Sequence, residues 1–152
     1  MASNIDEELG QRLQVEHKAL LQLSQVLRTH IAALPGGDAV QWLTGLRAAY
    51  DRLYAHVERC ITMKEKDGYL ATILQENPTL ARQVEAIRGE HSQLLRMGDG
   101  LRKEMGAIRP ADRVLIDDIC ARVQRFMAVV TQHEQRENMI VLFAFNQDLG
   151  SY

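Results

Sequence analysis

Apolar residues recur three and four positions apart along four long stretches of the chain, with polar residues between them, the period of helices that bury one face. The first stretch, from about Asn4 to Ala33, carries the stripe Leu13, His17, Leu20, Ser24, Leu27 and Ile31 and is broken by Pro35, Gly36 and Gly37. Asp38 stands where a second helix needs its N-cap; that helix, roughly residues 39–66, has the stripe Leu46, Tyr50, Leu53, Val57, Cys60 and Lys64 and stops near Gly68. A short helical turn over Tyr69 to Gln75 comes before Asn77 and Pro78. The third long stretch opens at Pro78, a favourable first-turn residue, bears Leu80, Val84, Ile87, His91, Leu94, Gly98, Leu101 and Met105, and ends at Gly106. The last opens around Pro110 to Asp112 and turns Ile119, Val123, Phe126, Val130, His133, Glu137, Ile140 and Ala144 inward. No run alternates in the period of a strand. The pattern predicts an all-α fold: four helices on short connections in an antiparallel up-down bundle, one domain over residues 1–152.

Composition narrows the function classes. With 46% hydrophobic and 25% charged residues and a net charge of -2, the 152-residue chain reads as an ordinary globular domain, without the basic stripe that would neutralise nucleic-acid phosphates. The longest apolar run, Met139 to Phe145, is far too short to span a membrane, and the start Met1-Ala2-Ser3-Asn4 lacks the features of a signal peptide. A cytoplasmic protein is expected, its two cysteines, Cys60 and Cys120, free thiols. Neither a nucleophile–base pair nor a phosphate-binding loop points to an enzyme.

Candidate chemistry comes from a repeat. Glu-His-x-x-Leu-Leu occurs at Glu16 to Leu21 and again at Glu90 to Leu95, an offset of 74 residues. At an offset of 73, Arg52, Leu53, Ala55 and Val57 match Arg125, Phe126, Ala128 and Val130, a register that sets Cys60 opposite His133 and Lys64 opposite Glu137. His133 and Glu137 form His-x-x-x-Glu, an imidazole and a carboxylate one turn apart on one face, able to chelate a metal or bridge two. The two halves therefore match in scaffold and differ in chemistry.

The order of histidine on the first helix, a second-helix motif, histidine on the third and His-x-x-x-Glu on the fourth resembles the bacterial hemerythrin-like, cation-binding domains along almost the whole chain. The segment Glu65 to Leu70, Asn77-Pro78 and the tail from Glu137 to Gly150 are similar too. That resemblance implies a four-helix bundle holding iron for oxygen binding, oxygen or nitric-oxide sensing, or peroxide handling. Carried over by position, it implies His17, His91, His133 and Glu137 as metal ligands. This chain departs from the pattern on the second helix, where Cys60 and Lys64 replace histidine and glutamate.

An inward lysine must find a negative group, and Glu137 is the one on the facing stripe. An ammonium in place of a second divalent cation predicts one ion, iron or zinc, rather than two. The other reading is a metal-free bundle in which Lys64, Glu137 and the histidines form a buried network serving a structural or partner-binding role. Cys60 is either a thiolate ligand beside His17 or a small core filler. His56 points inward beside Leu53 or outward beside Arg52 and Arg59; inward, it could be a substitute ligand, as His-x-x-x-Cys with Cys60, a role not expected because it lies one turn, about 6 Å, from the level of the lost ligand. Glu16 and Glu90 are expected at the rim or behind the ligands, Glu65 and Asp148 on the solvated surface or in the same supporting role, His30 exposed and Cys120 in packing. A site with an open position suits a small diatomic ligand, and a sensor built on it is expected to need a separate protein partner.

Overall fold

A computed structural model describes residues 2–33, 37–66 and 69–146, with side chains from Glu8 to Ala144 except Leu9. Pro35, Gly36 and Gly68, expected as helix breakers, and Asp148 with the last residues of the family-like tail, lie outside the described residues. The elements are α1 (Ala2–Ala32), α2 (Ala39–Lys66), α3 (Tyr69–Glu76), a 3₁₀ turn (Pro78–Leu80), α4 (Ala81–Ala107) and α5 (Arg113–Asn146). The described residues are all-helical, with no strand among them.

Local signals place these ends. Asp38 Oδ1 accepts from the backbone N–H groups of Val40 and Gln41, both at 3.1 Å, so α2 begins on the cap that the sequence predicts. Pro78 opens a 3₁₀ turn rather than α4 itself: Asn77 Oδ1 accepts from Thr79 N at 3.2 Å, and α4 continues from Ala81.

Contacts between elements fix their directions. His30 meets Trp42 and His56 meets Glu16 across α1 and α2, so the later residue of one helix faces the earlier residue of the other and the two run oppositely. Tyr50 with Gly98 and Tyr54 with Leu95 orient α2 against α4 in the same sense, as do Glu104 with Arg122 and Glu90 with Arg136 for α4 and α5. At the end of the helices away from α3, Trp42 Nε1–H donates to the His30 carbonyl and Arg47 donates to the carbonyls of Met105 and Ile108, satisfying the orphan acceptors at the end of α4. His30, expected to be exposed, is half-buried, its ring stacked on Trp42 with centroids 5.3 Å apart.

The core falls into two parts. The larger gathers Leu27, Leu46, Tyr50, Leu53, Leu101, Val123 and Phe126 with their neighbours, and reaches Ile61, Leu94 and Val130. A smaller one is built by α3, the 3₁₀ turn, the start of α4 and the end of α5: Tyr69, Leu70, Ile73, Leu80, Val84, Ile87, Val141 and Ala144. Between them in sequence on α4 and α5 come the buried polar residues His91, His133 and Glu137, and on α2 buried Lys64 follows Ile61. Every residue of the four inward stripes is buried or half-buried except His17.

Candidate metal centre

Helical spacing carries three side chains into the polar layer. His133 and Glu137 are one turn apart on α5, and His91 projects from the facing side of α4; their ligand atoms all lie within 4.8 Å of one another, and all three residues are buried. His91 Nε2 and His133 Nε2 both approach Glu137 Oε2, at 2.9 and 2.8 Å. The two imidazoles meet edge to face with centroids 4.8 Å apart.

The far nitrogens are held as well. His91 Nδ1–H donates to Glu65 Oε1 at 2.8 Å and His133 Nδ1–H to Glu90 Oε2 at 2.5 Å. Each of these carboxylates also meets an arginine on the outside, Arg88 for Glu65 at 3.6 Å and Arg136 for Glu90 at 2.7 Å. Two chains, Arg88–Glu65–His91 and Arg136–Glu90–His133, thus converge on one carboxylate oxygen. Glu65 and Glu90 therefore occupy the supporting role behind the imidazoles, one of the two places their sequence positions allow.

A proton held on each Nδ1 leaves both Nε2 lone pairs aimed at a carboxylate oxygen. Three electron-rich atoms in a buried site repel unless a cation or additional protons lie among them. In the metal-free protein protons meet this need. Burial works against charge on His133, but the close approach and negative charge of Glu137 outweigh it and raise the imidazole above its ordinary range. His133 Nε2 still has no hydrogen bond of good geometry. Two imidazoles oriented by carboxylates and one carboxylate oxygen form a donor set that suits iron or zinc, so the residues present fit a metal ion.

Lys64 fills the other side of Glu137. Its ammonium contacts Glu137 Oε1, and the two residues are 7% and 0% exposed, burial at which either charge alone would be prohibitive. Desolvation raises the Glu137 carboxyl, yet the hydrogen bonds from His133 and His91 and the charge of Lys64 prevail and hold it far below the ordinary carboxylate range. Desolvation likewise favours neutral Lys64, and Glu137 overrides it, holding the amine protonated.

His17 is not brought into this cluster. The repeat equates His17 with His91 and Lys64 with Glu137, so an inward His17 would meet an ammonium where His91 meets a carboxylate. It is exposed instead and pairs through Nδ1 with Glu134. The inward orientation expected from its stripe is corrected on that ground.

Cys60 and His56 lie together on the half of the site facing α1. They border a cavity of about 40 Å³, along with Glu16, Lys64, His133 and Asn138 and the apolar Leu20, Leu94 and Val130. Cys60 Sγ is 3.4 Å from His56 Nε2, and His56 Nε2–H donates to the Glu16 carbonyl at 3.3 Å. His56 thus takes the inward of its two orientations, drawn in by the cavity at Cys60 and the Glu16 carbonyl. Burial lowers His56 below its usual range and, with the charge of Glu16, pushes the Cys60 thiol up to about 12. Glu16, a rim residue by sequence, is half-buried; its carboxyl interacts with the Cys60 thiol, and its Oε2 is buried without a well-formed hydrogen bond. Cys120 is buried in the larger core, away from all of this.

An all-helical fold around a buried pair of histidines and a glutamate whose donor atoms already converge defines a cation-binding helical domain. The family model of the hemerythrin HHE cation binding domain matches residues 9–144, and the chain belongs to that family. No curated protein and no solved structure matches it. Among the described residues no helix is long and apolar enough to cross a membrane.

Proposed function

We propose that this protein is a hemerythrin-like metal-binding protein with an altered site holding one ion, iron in the first instance or zinc, through His91, His133 and Glu137, and that it binds or senses oxygen, nitric oxide or redox state. The convergence of three buried donor atoms within 4.8 Å carries this reading. In this proposal the four long helices form the antiparallel up-down bundle of the family as one domain over residues 1–152, acting in the cytoplasm with a separate protein partner.

The ion would supply a coordination position open to water or a small diatomic molecule. The surrounding residues do the rest. Glu65 and Glu90 hold protons on Nδ1 and thereby present Nε2 inward. Ile87, Leu94 and Val130 flank the polar layer and limit water. Lys64 pairs with the second oxygen of Glu137, supplying covalently the positive charge that a second ion would bring in a two-iron site.

Elemental analysis of protein expressed in iron-rich and zinc-rich media tests the proposal. About one ion per chain that depends on His91, His133 and Glu137 is expected, its affinity reduced ten- to a hundredfold or more when His133 or Glu137 is replaced by alanine. No ion that depends on these residues, or two that do, overturns it.

The Lys64–Glu137 contact also supports a second reading, a metal-free domain in which this pair and the histidines form a structural or partner-binding network. On that reading neither medium yields bound metal, and the network contributes stability alone.

A further inference from the structure

The half of the site that lost the family's second-helix ligands carries a different donor set. His56 and Cys60 are one turn apart on α2, half-buried, and open to the same small cavity. Their Nε2 and Sγ atoms are 3.4 Å apart. A tetrahedral ion with a metal–sulfur bond of about 2.3 Å and a metal–nitrogen bond of about 2.0–2.1 Å sets those donors about 3.5 Å apart, so the pair already has the required bite. Across the cavity, α1 contributes Glu16, which lines the same space and whose Oε2 is buried without a well-formed hydrogen bond.

We propose that His56, Cys60 and Glu16 form a second cation site, selective for a thiophilic ion of the zinc class and independent of the site at His91, His133 and Glu137. The helix positions the nitrogen and sulfur donors, and a rotation of the Glu16 side chain brings the third. When the sulfur–metal bond forms, the thiol proton passes to solvent, and His56 changes tautomer: its Nε2 proton is exchanged through solvent for one on Nδ1, so the hydrogen bond to the Glu16 carbonyl is given up and the freed Nε2 lone pair binds the ion. A divalent ion is then balanced by one thiolate and one carboxylate. Lys64, the cation that lines this cavity, is already paired with Glu137. The ligand chemistry also separates the two sites: thiolate with imidazole favours zinc-class ions, whereas imidazole with carboxylate accepts iron equally.

Thiol alkylation of the wild-type protein with a maleimide, followed by mass spectrometry of the Cys60 peptide and with buried Cys120 as internal reference, tests the site without a variant. Zn²⁺ in excess over two equivalents per chain, enough to fill both sites, is expected to slow alkylation of Cys60 at least tenfold; an unchanged rate overturns the proposal. The same protection is expected in His133→Ala, which disables the first site, and is expected to fall at least tenfold in His56→Ala. Protection lost in His133→Ala but kept in His56→Ala would assign the effect to the other site and also overturns it. A Cd²⁺ titration adds a direct readout: a thiolate-to-metal absorption band saturating at about one equivalent, absent in Cys60→Ser and kept in Cys120→Ser. Absence of that band from the wild-type protein counts against the proposal irrespective of how the variants fold.

Discussion

Glu137 is completely buried and is approached from three directions: the Lys64 ammonium at Oε1, and His91 and His133 at Oε2. Removing it leaves an ammonium in the core with no partner, and Glu137→Ala is expected to destabilise the metal-free protein by roughly 3–5 kcal/mol in urea or guanidinium unfolding. Adding Lys64→Met removes the stranded charge, and the double variant should recover much of that loss; a double variant no more stable than the single one would sink the pairing. The direction of the pKa shifts sets the pH response. A carboxyl depressed below its ordinary 4.5 contributes stability that is fully present above that pH and lost as the pH falls below it. An imidazole raised above 6.5 contributes stability that is complete below that pH and lost as the pH rises through the shifted value. The melting temperature of the metal-free protein should therefore decline on both sides, and His133→Gln should remove the alkaline decline. The inward orientation of His91, His133 and Glu137 was legible from spacing, because each stands at the centre of an apolar stripe rather than on its flank. Glu16, Glu65 and Glu90 were less so: three rotatable bonds let a glutamate on the flank of a helix either reach inward or stay in water, and packing across the interface decides between them.

A polar layer costs each helix part of its apolar stripe, and the elements compensate above and below it. The contact of α2 with α4 is close because Gly98 has no side chain: a Cβ there would lie 2.3 Å from Tyr54 Cε1 and 3.0 Å from Phe126 Cζ. Tyr50, fully buried, donates to the Gly98 carbonyl at 2.5 Å, fixing the same crossing by hydrogen bond. Gly98→Ala should force these rings apart and destabilise by about 1–3 kcal/mol, measured by thermal or chemical unfolding, while leaving metal affinity within a few fold because the ligands lie on the next turns toward α3. An undiminished stability would show that the helices can separate at no cost. The helices themselves were readable from apolar period, Asp38 and Pro78, since these act within a turn of their own backbone. The close approach at Gly98 was not: a glycine inside a helical stripe reads as a weakness until the aromatic rings that fill its space are known.

Across the whole molecule the two halves repeat their backbone pattern and break their chemistry at paired positions, Cys60 against His133 and Lys64 against Glu137. The break propagates further than the two substitutions. With a cation at residue 64, the first-half histidine turns out to Glu134, whereas its counterpart His91 stays 2% exposed against Glu137. The sequence register predicted both substitutions but set His17 inward, because a repeat reports where a helix face points and not which charge awaits the side chain. If the charge at residue 64 is what turns His17 out, then reversing it should bring the residue back. Cys60→His combined with Lys64→Glu is expected to raise bound iron from about one to about two ions per chain, with the visible absorption of a bridged pair. The gained ion cannot belong to the thiol site, since that change deletes Cys60. Adding His17→Ala to the double variant should return the count to about one; an unchanged count of two would mean that the second ion finds its ligands without His17 and that the charge at residue 64 does not govern the first half of the repeat.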